Sequence, residues 1–317
     1  MRAGVIGLGN MGRHHARIYK EMKDVDLVAL ADVNLTPMLE FDACGISKYT
    51  DWKMMLENEK LDMVSIVTPT STHYEIAGYC ITEGLNVLIE KPVAMDLRQA
   101  DSLIKLRESF KGTKPVAMVG HVERFNPVVR KLRDLIYDGA LGTVISLSSK
   151  RVGPQPKTQD VGVTLDIGIH DIDLAMYLLE GTVDDVYTVS GKIKHPIEDH
   201  AMINLRLGGA SAFIQVNWLT PYKMRRLQII GTEGVAEADL MEQTLLVYSK
   251  EGVMNYTIAK TEPLKTELEH FVRSIGQGAN ISPTLYEGRK ALAVALASLE
   301  SAKRNEVLGI DDIEEDV

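Results

Sequence analysis

The sequence is poor in cysteine and in positive charge. Its two cysteines, Cys44 and Cys80, lie far apart and form no Cys-x-x-Cys pair, so we expect neither a disulfide framework nor a zinc ribbon, and interpret both as small core residues. The 44 acidic residues outnumber the 35 basic ones, and a net charge of −9 argues against a general nucleic-acid binder. Any anionic ligand must then be bound by a local cluster of bases.

Long apolar runs are absent as well. No stretch approaches the roughly 18 uninterrupted apolar residues of a membrane-spanning helix, and the short apolar segment after Arg2 leads into a glycine-rich run, which favours a strand over an export signal. With 45% hydrophobic and 25% charged residues, the chain is expected to be a folded protein of the reducing cytoplasm. A length of 317 residues suggests two domains.

The first 120 residues alternate between apolar runs and helical periodicity. The predicted buried strands are Ala3–Ile6, Leu27–Ala31, Met63–Val67, Asn86–Ile89 and Val116–Val119, with a short one at Lys48–Tyr49. The predicted helices are Met11–Glu21, Ser71–Thr82 and Asp96–Phe110. This alternation predicts an α/β domain with a doubly wound parallel sheet over residues 1–120.

Residues 121–317 follow a different pattern, in which alternating strands dominate. The predicted strands are Thr143–Lys150, Ala201–Leu207, Ser211–Val216 and Arg226–Ile230, and the predicted helices are Phe125–Tyr137, Asp166–Leu179, Leu264–Gln277 and Thr284–Lys303. Gly208-Gly209 predicts a tight hairpin turn, and Val152–Gln159 predicts a loop. These residues therefore predict a second, α+β domain with a largely antiparallel sheet.

A glycine motif, Gly7-Leu8-Gly9-Asn10-Met11-Gly12, joins the first predicted strand to the first predicted helix. In that context Gly7 permits the tight turn, Gly9 lets the backbone approach a pyrophosphate, and Gly12 allows close packing of helix on strand. The helix N-terminus then presents amides to the phosphates. A purely structural glycine turn is the alternative.

Asp32 follows the second predicted strand, 20 residues after the last glycine of the motif. A carboxylate there accepts hydrogen bonds from a ribose 2′-hydroxyl and repels a 2′-phosphate. The next three residues, Val33, Asn34 and Leu35, include no base. The sequence therefore favours NAD over NADP, with a helix-capping or turn role for Asp32 as the alternative.

Two polar segments follow further buried strands, where the ligand crevice of a parallel sheet lies. The first runs from Thr68-Pro69 to His73, whose Ser71 or Thr72 could cap the next helix and whose histidine could be a helix-surface residue. The second is Glu90-Lys91-Pro92. Beside a nicotinamide, Lys91 could bind a substrate hydroxyl and favour its alkoxide, and an ordinary exposed lysine is the alternative.

The segment Asp166–Asp173 is the other concentration of polar residues. On a helix, Asp166 and His170 would share one face, where a histidine beside a carboxylate is a plausible general base. A metal site of His170, Asp171 and Asp173 is disfavoured because side chains at these spacings converge poorly on a helix. Acidic residues that stabilise a helix N-terminus are a further alternative.

Taken in chain order, five motifs form a specific set: the glycine motif, Thr68-Pro69 with His73, Glu90-Lys91-Pro92, Gly120-His121 with Arg124-Phe125-Asn126-Pro127, and Asp166–Asp173. This set resembles the glucose–fructose oxidoreductase, inositol dehydrogenase and MocA (Gfo/Idh/MocA) family of nicotinamide-dependent oxidoreductases over essentially the whole chain. The resemblance implies a Rossmann domain, then a domain with a large open sheet. That sheet's exposed face would pack against another subunit of a homodimer or homotetramer.

The resemblance also implies roles for individual residues. Lys91, Asp166 and His170 match the family's catalytic positions, and Pro92 matches the proline that helps to fix the lysine's loop. The implied reaction oxidises a secondary alcohol of a sugar or cyclitol, and which of Lys91 and His170 accepts the proton stays open. The residues expected to contact the cofactor are Gly7, Gly9, Asn10, Met11, Gly12, Asp32, Thr68, Pro69, His73, Glu90 and Lys91, and no metal is expected.

The substrate is predicted from the bases of the second domain. Lys150, Arg151 and Lys157 flank the predicted loop, whereas Lys223, Arg225 and Arg226 follow Trp218. Cations gathered in an acidic protein favour an anionic substrate, unless they are plain surface charges. Substrate contacts are expected from Arg124, Asn126, Arg151, Trp218 and Arg225.

The stretches Gly120–Pro127, Arg151–Pro154 and Asp160–Val163 resemble the branch of the family that oxidises UDP-N-acetylglucosamine at C3. A dehydrogenase of inositol or another neutral polyol is the first alternative. A non-catalytic dinucleotide sensor is the second, and the intact Lys91, Asp166 and His170 argue against it.

Overall fold

The computed structural model describes residues 1–156, 160–277 and 281–310. The chain divides into two units. The first comprises Met1–Gly120 and Leu264–Arg289, and the second comprises His121–Pro263 and the residues from Lys290 onward. No helix among the described residues is long and apolar enough to cross a membrane.

The first unit is built on a parallel sheet. Its described strands are β1 (Arg2–Ile6), β2 (Asp26–Ala31), β3 (Ser47–Tyr49), β4 (Met63–Ile66), β5 (Asn86–Glu90) and β6 (Ala117–Gly120), and the helices between them are α1 (Asn10–Glu21), α2 (Trp52–Asn58), α3 (Thr70–Thr82) and α4 (Leu97–Ser109). The strand order is β3-β2-β1-β4-β5-β6. The order reverses between β1 and β4, which is where such sheets bind ligands. The predicted doubly wound parallel sheet is confirmed.

Every residue of β4 is buried, in agreement with a strand that is covered on both faces. The sequence patterns missed two short elements before it, α2 and a 3₁₀ segment at Thr36–Cys44. The helix α2 spans only seven residues and is capped by the Asp51 carboxylate, which accepts a hydrogen bond from the amide of Lys53. An element this short gives little periodicity to detect.

A segment from late in the chain completes the first unit. The amide of Val119 in β6 donates to the carbonyl of Pro283 at 3.0 Å, and Met118 forms a bridge with Thr284. A Cβ on Gly288 would lie 2.7 Å from the Val119 side chain, so this glycine permits a close approach. Residues Leu264–Arg289 therefore belong with the first unit, whereas the sequence patterns assign all of 121–317 to the second domain.

The second unit is built on a mixed, mainly antiparallel sheet. Its described strands are β7 (Val144–Pro154), β8 (Asp185–Gly191), β9 (His200–Leu207), β10 (Ala210–Asn217), β11 (Leu219–Gly231), β12 (Gly234–Asp239), β13 (Thr244–Ser249), β14 (Gly252–Tyr256) and β15 (Leu308–Gly309). The helices from Gly120 onward are α5 (Pro127–Tyr137), α6 (Ile169–Leu179), α7 (Pro263–Gln277) and α8 (Leu285–Arg304). The strand order is β14-β13-β12-β11-β7-β10-β9-β8-β15. Within the described sheet, only β7 and β10 pair in parallel, which confirms the predicted antiparallel character.

Local predictions in this unit had mixed outcomes. The hairpin at Gly208-Gly209 is confirmed, because both glycines have positive φ (50° and 105°) between β9 and β10. The predicted loop Val152–Gln159 begins too early, since Val152–Pro154 continue β7 and pair with β11. Its last part, residues 157–159 with Lys157, lies outside the described residues.

One face of this sheet packs against a helix, whereas the other face is open. On one face Leu147, Ala212 and Leu227 are buried, and α6 contacts β7 and β10 on this unit's sheet. On the other face Met202 and Phe213 are 50% and 49% exposed and line a broad groove. A strand residue thus lies on the helix-covered or the open face according to its place in the alternation.

Candidate active site

The glycine motif forms the turn between β1 and α1. Gly7 has a φ of +90°, and a Cβ there would lie 2.5 Å from the carbonyl oxygen of Val67. A Cβ on Gly12 would lie 1.8 Å from the carbonyl oxygen of Gly7, so only glycine allows α1 to start this close to the strand. A Cβ on Gly9, by contrast, would meet no described atom within 4 Å. The turn is closed where the protein packs on itself and open where a pyrophosphate would approach, which fits a dinucleotide.

The start of α1 is suited to bind an anion. Gly9 is the N-cap residue, and none of the described side chains caps the helix. The amides of the first turn are therefore oriented toward the space above Gly9, together with the positive end of the helix dipole. Asn10 and Met11, which begin α1, are exposed and half-buried, as predicted contacts of a cofactor should be.

Asp32 lies just after β2 and is tied to the glycine motif. Its carboxylate accepts hydrogen bonds from the amide of Leu8 at 2.6 Å and from the amide of Asn34 at 2.8 Å. The side chain is half-buried, and the neighbouring Val33 is 92% exposed. A carboxylate fixed beside the phosphate-binding turn suits the ribose contact predicted for it.

The predicted lysine, Lys91, follows β5 and is half-buried. Its amide donates to the Glu90 carboxylate at 3.2 Å, and the other oxygen of that carboxylate lies 3.3 Å from His15 Nε2. Glu90 and His15 are both buried. Burial by itself raises the pKa of Glu90, but the hydrogen bond and charge of His15, with the charges of Lys91 and His73, outweigh it and hold the pKa below its usual range.

His15 is a residue of this site that the sequence patterns missed. It lies on the buried face of α1 with Gly12, Ala16 and Tyr19, and its side chain is fully buried. A histidine at an apolar position of an amphipathic helix was the available signal. Gly120 contributes as well, because a Cβ there would lie 3.1 Å from the carboxylate carbon of Glu90.

His73, in the first turn of α3, is almost fully buried. Its Nδ1 lies 2.8 Å from the carbonyl oxygen of Pro92, and its Nε2 lies 2.9 Å from the carbonyl oxygen of Thr68. The predicted helix-surface location is wrong. Because both ring nitrogens bind backbone, cofactor binding by His73 stays a prediction that these contacts do not favour. Thr68 and Pro69 are themselves half-buried and exposed.

In the second unit, Asp166 and His170 flank the start of α6. Asp166 lies in a π-helical turn at Thr164–Gly168, and His170 is the second residue of the α-helix. The predicted regular helix from Asp166 is therefore wrong in its first turn, because the amide of Ile169 donates to the carbonyl five residues earlier, at Thr164. Such turns are frequent at functional sites. Both side chains are half-buried.

Arg151, predicted to bind substrate, lies in a buried cluster of charges. Its Nε donates to the Asp171 carboxylate at 2.6 Å, and its Nη1 donates to Glu123 at 2.7 Å. Arg225 donates to the same Glu123 oxygen at 3.0 Å and is the one partly exposed member of this group. Burial raises the pKa of Glu123, but the charges of Arg151 and Arg225 outweigh it and lower the pKa overall.

Arg124 is also bound internally. Its Nε donates to the Asp173 carboxylate at 2.7 Å, its Nη2 donates to the other oxygen, and its guanidinium lies 4.8 Å from the centre of the Tyr177 ring. Asp171 and Asp173, the carboxylates of the metal alternative, are thus each paired with an arginine. Both follow His170 closely on α6, so the two ion pairs anchor the helix that carries it.

The other predicted substrate contacts have local structural roles. Asn126 caps α5 by accepting from the amide of Val128, and its amide donates to the carbonyl of Leu240. Trp218 is buried, with its ring edge-on to His195 at 6.1 Å.

Lys150 and Arg226 line the groove on the open face of the sheet, because they alternate with the inward Arg151 and Leu227. The predicted cluster of bases is therefore divided between two faces.

We predict that Arg151→Ala lowers the free energy of unfolding by about 3–5 kcal/mol, because it leaves Asp171 and Glu123 buried with too little positive charge. Urea denaturation measures the change. The control is Arg273→Ala, at an exposed arginine of α7, which should change stability by no more than about 0.5 kcal/mol. An Arg151→Ala chain as stable as the control would contradict the structural role and leave Arg151 available for ligand.

Comparisons with known proteins agree with this architecture. Residues 1–121 match the model of an oxidoreductase family with an NAD-binding Rossmann fold, and residues 129–237 match the GFO/IDH/MocA C-terminal domain. The UDP-N-acetylglucosamine 3-dehydrogenase of Acidithiobacillus ferrooxidans is 30% identical over 311 residues, covering 93% of this chain and 95% of that enzyme.

Two further relatives span nearly the full length. The myo-inositol 2-dehydrogenase of Thermotoga maritima is 26% identical and covers 99% of each chain. A crystal structure of the Acidithiobacillus ferrooxidans UDP-N-acetylglucosamine 3-dehydrogenase superposes with a TM-score of 0.86 at 29% identity, over 96% of this chain and 98% of that one. With both domain models matched, this chain belongs to the GFO/IDH/MocA family of NAD-binding oxidoreductases.

Proposed function

We propose that this chain oxidises the C3 hydroxyl of UDP-N-acetylglucosamine to a ketone, with NAD as the oxidant. The observation that carries the proposal is the 30% identity to an enzyme of that name over 93% of the chain. The family is shown by both domain matches, so the proposal concerns the substrate and the position oxidised.

The proposed chemistry divides one step among three side chains. Lys91 hydrogen-bonds the reacting hydroxyl oxygen and stabilises the charge that develops on it, while His170 accepts the hydroxyl proton. Asp166, one turn before His170, orients the substrate or the histidine. Bound NAD supplies the acceptor for the hydride that leaves C3. The alcohol is thus converted to a ketone, with one proton released.

The cofactor contacts proposed for the first unit follow its geometry. Gly9 and the first amides of α1 would hold the pyrophosphate, and Asp32 would accept a hydrogen bond from the adenosine ribose hydroxyl. The Asp32 carboxylate would repel a 2′-phosphate, and Val33, Asn34 and Leu35 offer no cation to offset that repulsion. We therefore propose a preference for NAD over NADP.

Fewer bases are available to bind the diphosphate of a UDP-sugar than the sequence patterns indicate. Arg225 keeps 44% of its side chain exposed while one nitrogen binds Glu123, so it can still meet an anion. Lys223 is exposed on the same strand, β11. Anchoring by Glu123 would hold the Arg225 guanidinium in one orientation before the ligand arrives.

A neutral polyol is the second candidate substrate. It is favoured by the pairing of Arg124 and Arg151 with internal carboxylates, which removes two cations from the set expected to clamp a diphosphate. The similarity to myo-inositol 2-dehydrogenase over 99% of the chain supports the same reading.

The test is the absorbance of NADH formed with UDP-N-acetylglucosamine, UDP-N-acetylglucosaminuronic acid, free N-acetylglucosamine, myo-inositol and glucose, each with NAD and with NADP. We expect the highest kcat/KM with UDP-N-acetylglucosamine and NAD. Turnover of myo-inositol without turnover of either UDP-sugar would reject the substrate. A higher kcat/KM with NADP would reject the role of Asp32.

We predict that Lys91→Ala and His170→Ala each lower kcat by about 10²–10⁴-fold, because each removes a group that acts on the hydroxyl proton or oxygen. Binding of NAD, measured by fluorescence titration, should change little. Lys23→Ala, at an exposed lysine of the same unit, is the control and should retain full turnover. A variant of Lys91 or His170 with normal kcat would exclude that residue from the reaction.

We propose further that the open face of the β7–β15 sheet meets a second copy of the chain. Met202 and Phe213, half-exposed apolar residues of adjacent strands, support this contact. Sedimentation velocity should show a dimer or tetramer that Phe213→Glu dissociates, whereas Tyr137→Glu, at an exposed aromatic of α5, should leave it intact. A wild-type monomer of 35.1 kDa would contradict the proposal.

A further inference from the structure

The ring of His73 lies between two backbone carbonyl groups. Pro92 offers one at 2.8 Å from Nδ1, and Thr68 offers the other at 2.9 Å from Nε2. The residue is 1% exposed, so water cannot readily replace either partner. Both partners are acceptors, since a carbonyl oxygen has no hydrogen to donate.

These two contacts determine the proton count of the ring. A neutral imidazole carries one N–H, so its other nitrogen would point a lone pair at a carbonyl lone pair inside the protein. The imidazolium carries an N–H on both nitrogens and can donate to Thr68 and Pro92 together. A buried acceptor left without its donor costs about 1–3 kcal/mol, which favours the doubly protonated ring.

The charged groups around His73 are compatible with a cation. Glu90, at the end of β5, is buried and interacts electrostatically with His73, His15 and Lys91. Lys91 and the positive end of the α3 dipole oppose a positive ring, because His73 lies in the first turn of that helix. The negative charge of Glu90 and the two carbonyl dipoles attract a positive ring and oppose that repulsion.

We propose that His73 is held as an imidazolium and acts as a positioning residue for Lys91. Its two hydrogen bonds join the turn after β4, at Thr68, to the turn after β5, at Pro92. Lys91 is then fixed from both sides, by Glu90 at its own amide and by His73 at the carbonyl of the next residue. The positioning role rests on the proposed catalytic function of Lys91, whereas the charge state of His73 does not.

The charge state is tested on the full-length protein with ¹⁵N-labelled histidine. Long-range ¹H–¹⁵N spectra at pH 8 should show both ring nitrogens of His73 protonated, in contrast to the neutral ring of free histidine at that pH. His73 is assigned among the eight histidines by loss of its signals in His73→Gln, or by through-bond transfer from its backbone. A single protonated ring nitrogen at His73 would overturn the proposal.

The positioning role is tested by kinetics of His73→Gln. An amide presents one donor and one acceptor, so it cannot donate to both carbonyls, and Lys91 should lose its alignment. We expect kcat to fall by about 10²-fold, the cost of a misplacement of about 1 Å, with NAD affinity within about twofold. His14→Gln, the same change at an exposed site, is the control.

The outcomes separate the two proposals. A rise in the KM for NAD at unchanged kcat would instead make His73 a cofactor ligand, and an unchanged kcat and KM would remove its role. If His73→Gln does not fold, the wild-type spectrum alone decides the charge state. If His73 is doubly protonated but the Lys91→Ala variant retains full turnover, the proposed function of the lysine is refuted. The assignment of His73 as an imidazolium then still stands.

Discussion

The pairing of buried charges is the constraint on which the candidate site residues of each unit depend. A charge that leaves water must find an opposite charge or several hydrogen bonds, since the cost of burial otherwise exceeds what a small domain can tolerate. In the first unit the buried Glu90 binds His15 and the Lys91 amide. In the second unit the buried Asp171 binds Arg151. Each of these acids is adjacent in sequence to a proposed catalytic residue. The contacts that permit the acid to be buried therefore also fix the backbone position of Lys91 or His170.

The parallel sheet of the first unit explains why its fold and its glycine turn could be predicted. A turn that needs a positive φ at Gly7 and a Cβ-free approach at Gly12 leaves a signature that few other structures share. The carboxyl ends of parallel strands meet at one edge, so Asp32, Thr68 and Glu90 were expected together from their positions after three apolar runs. Strand periodicity likewise predicted β9, β10 and the second half of β11, and the Gly208-Gly209 pair predicted the turn between β9 and β10.

The sequence could not show what depends on long-range pairing. Arg151 and Arg124 were expected to bind substrate because they are bases in an acidic chain, but a sequence does not reveal that Asp171 and Asp173 already pair with them. Proximity in the sequence groups Lys150 and Arg226 with Arg151 and Arg225, although neighbours on a strand face opposite ways. The π-helical turn at Thr164–Gly168 and the packing of Leu264–Arg289 with the first unit have no local signature. A buried histidine in a helix can have many roles, so the sequence does not identify His15 as a partner of Glu90.

The structure thus leaves fewer bases for an anionic substrate than the composition suggests. Arg124 and Arg151 pair with internal carboxylates, whereas Arg225 binds Glu123 and stays partly exposed. The most direct test uses UDP-N-acetylglucosamine that carries deuterium at C3, followed by mass spectrometry of the reduced cofactor. We predict that the nicotinamide gains one deuterium at C4. NADH that forms without deuterium, or no NADH at all, would contradict oxidation at C3.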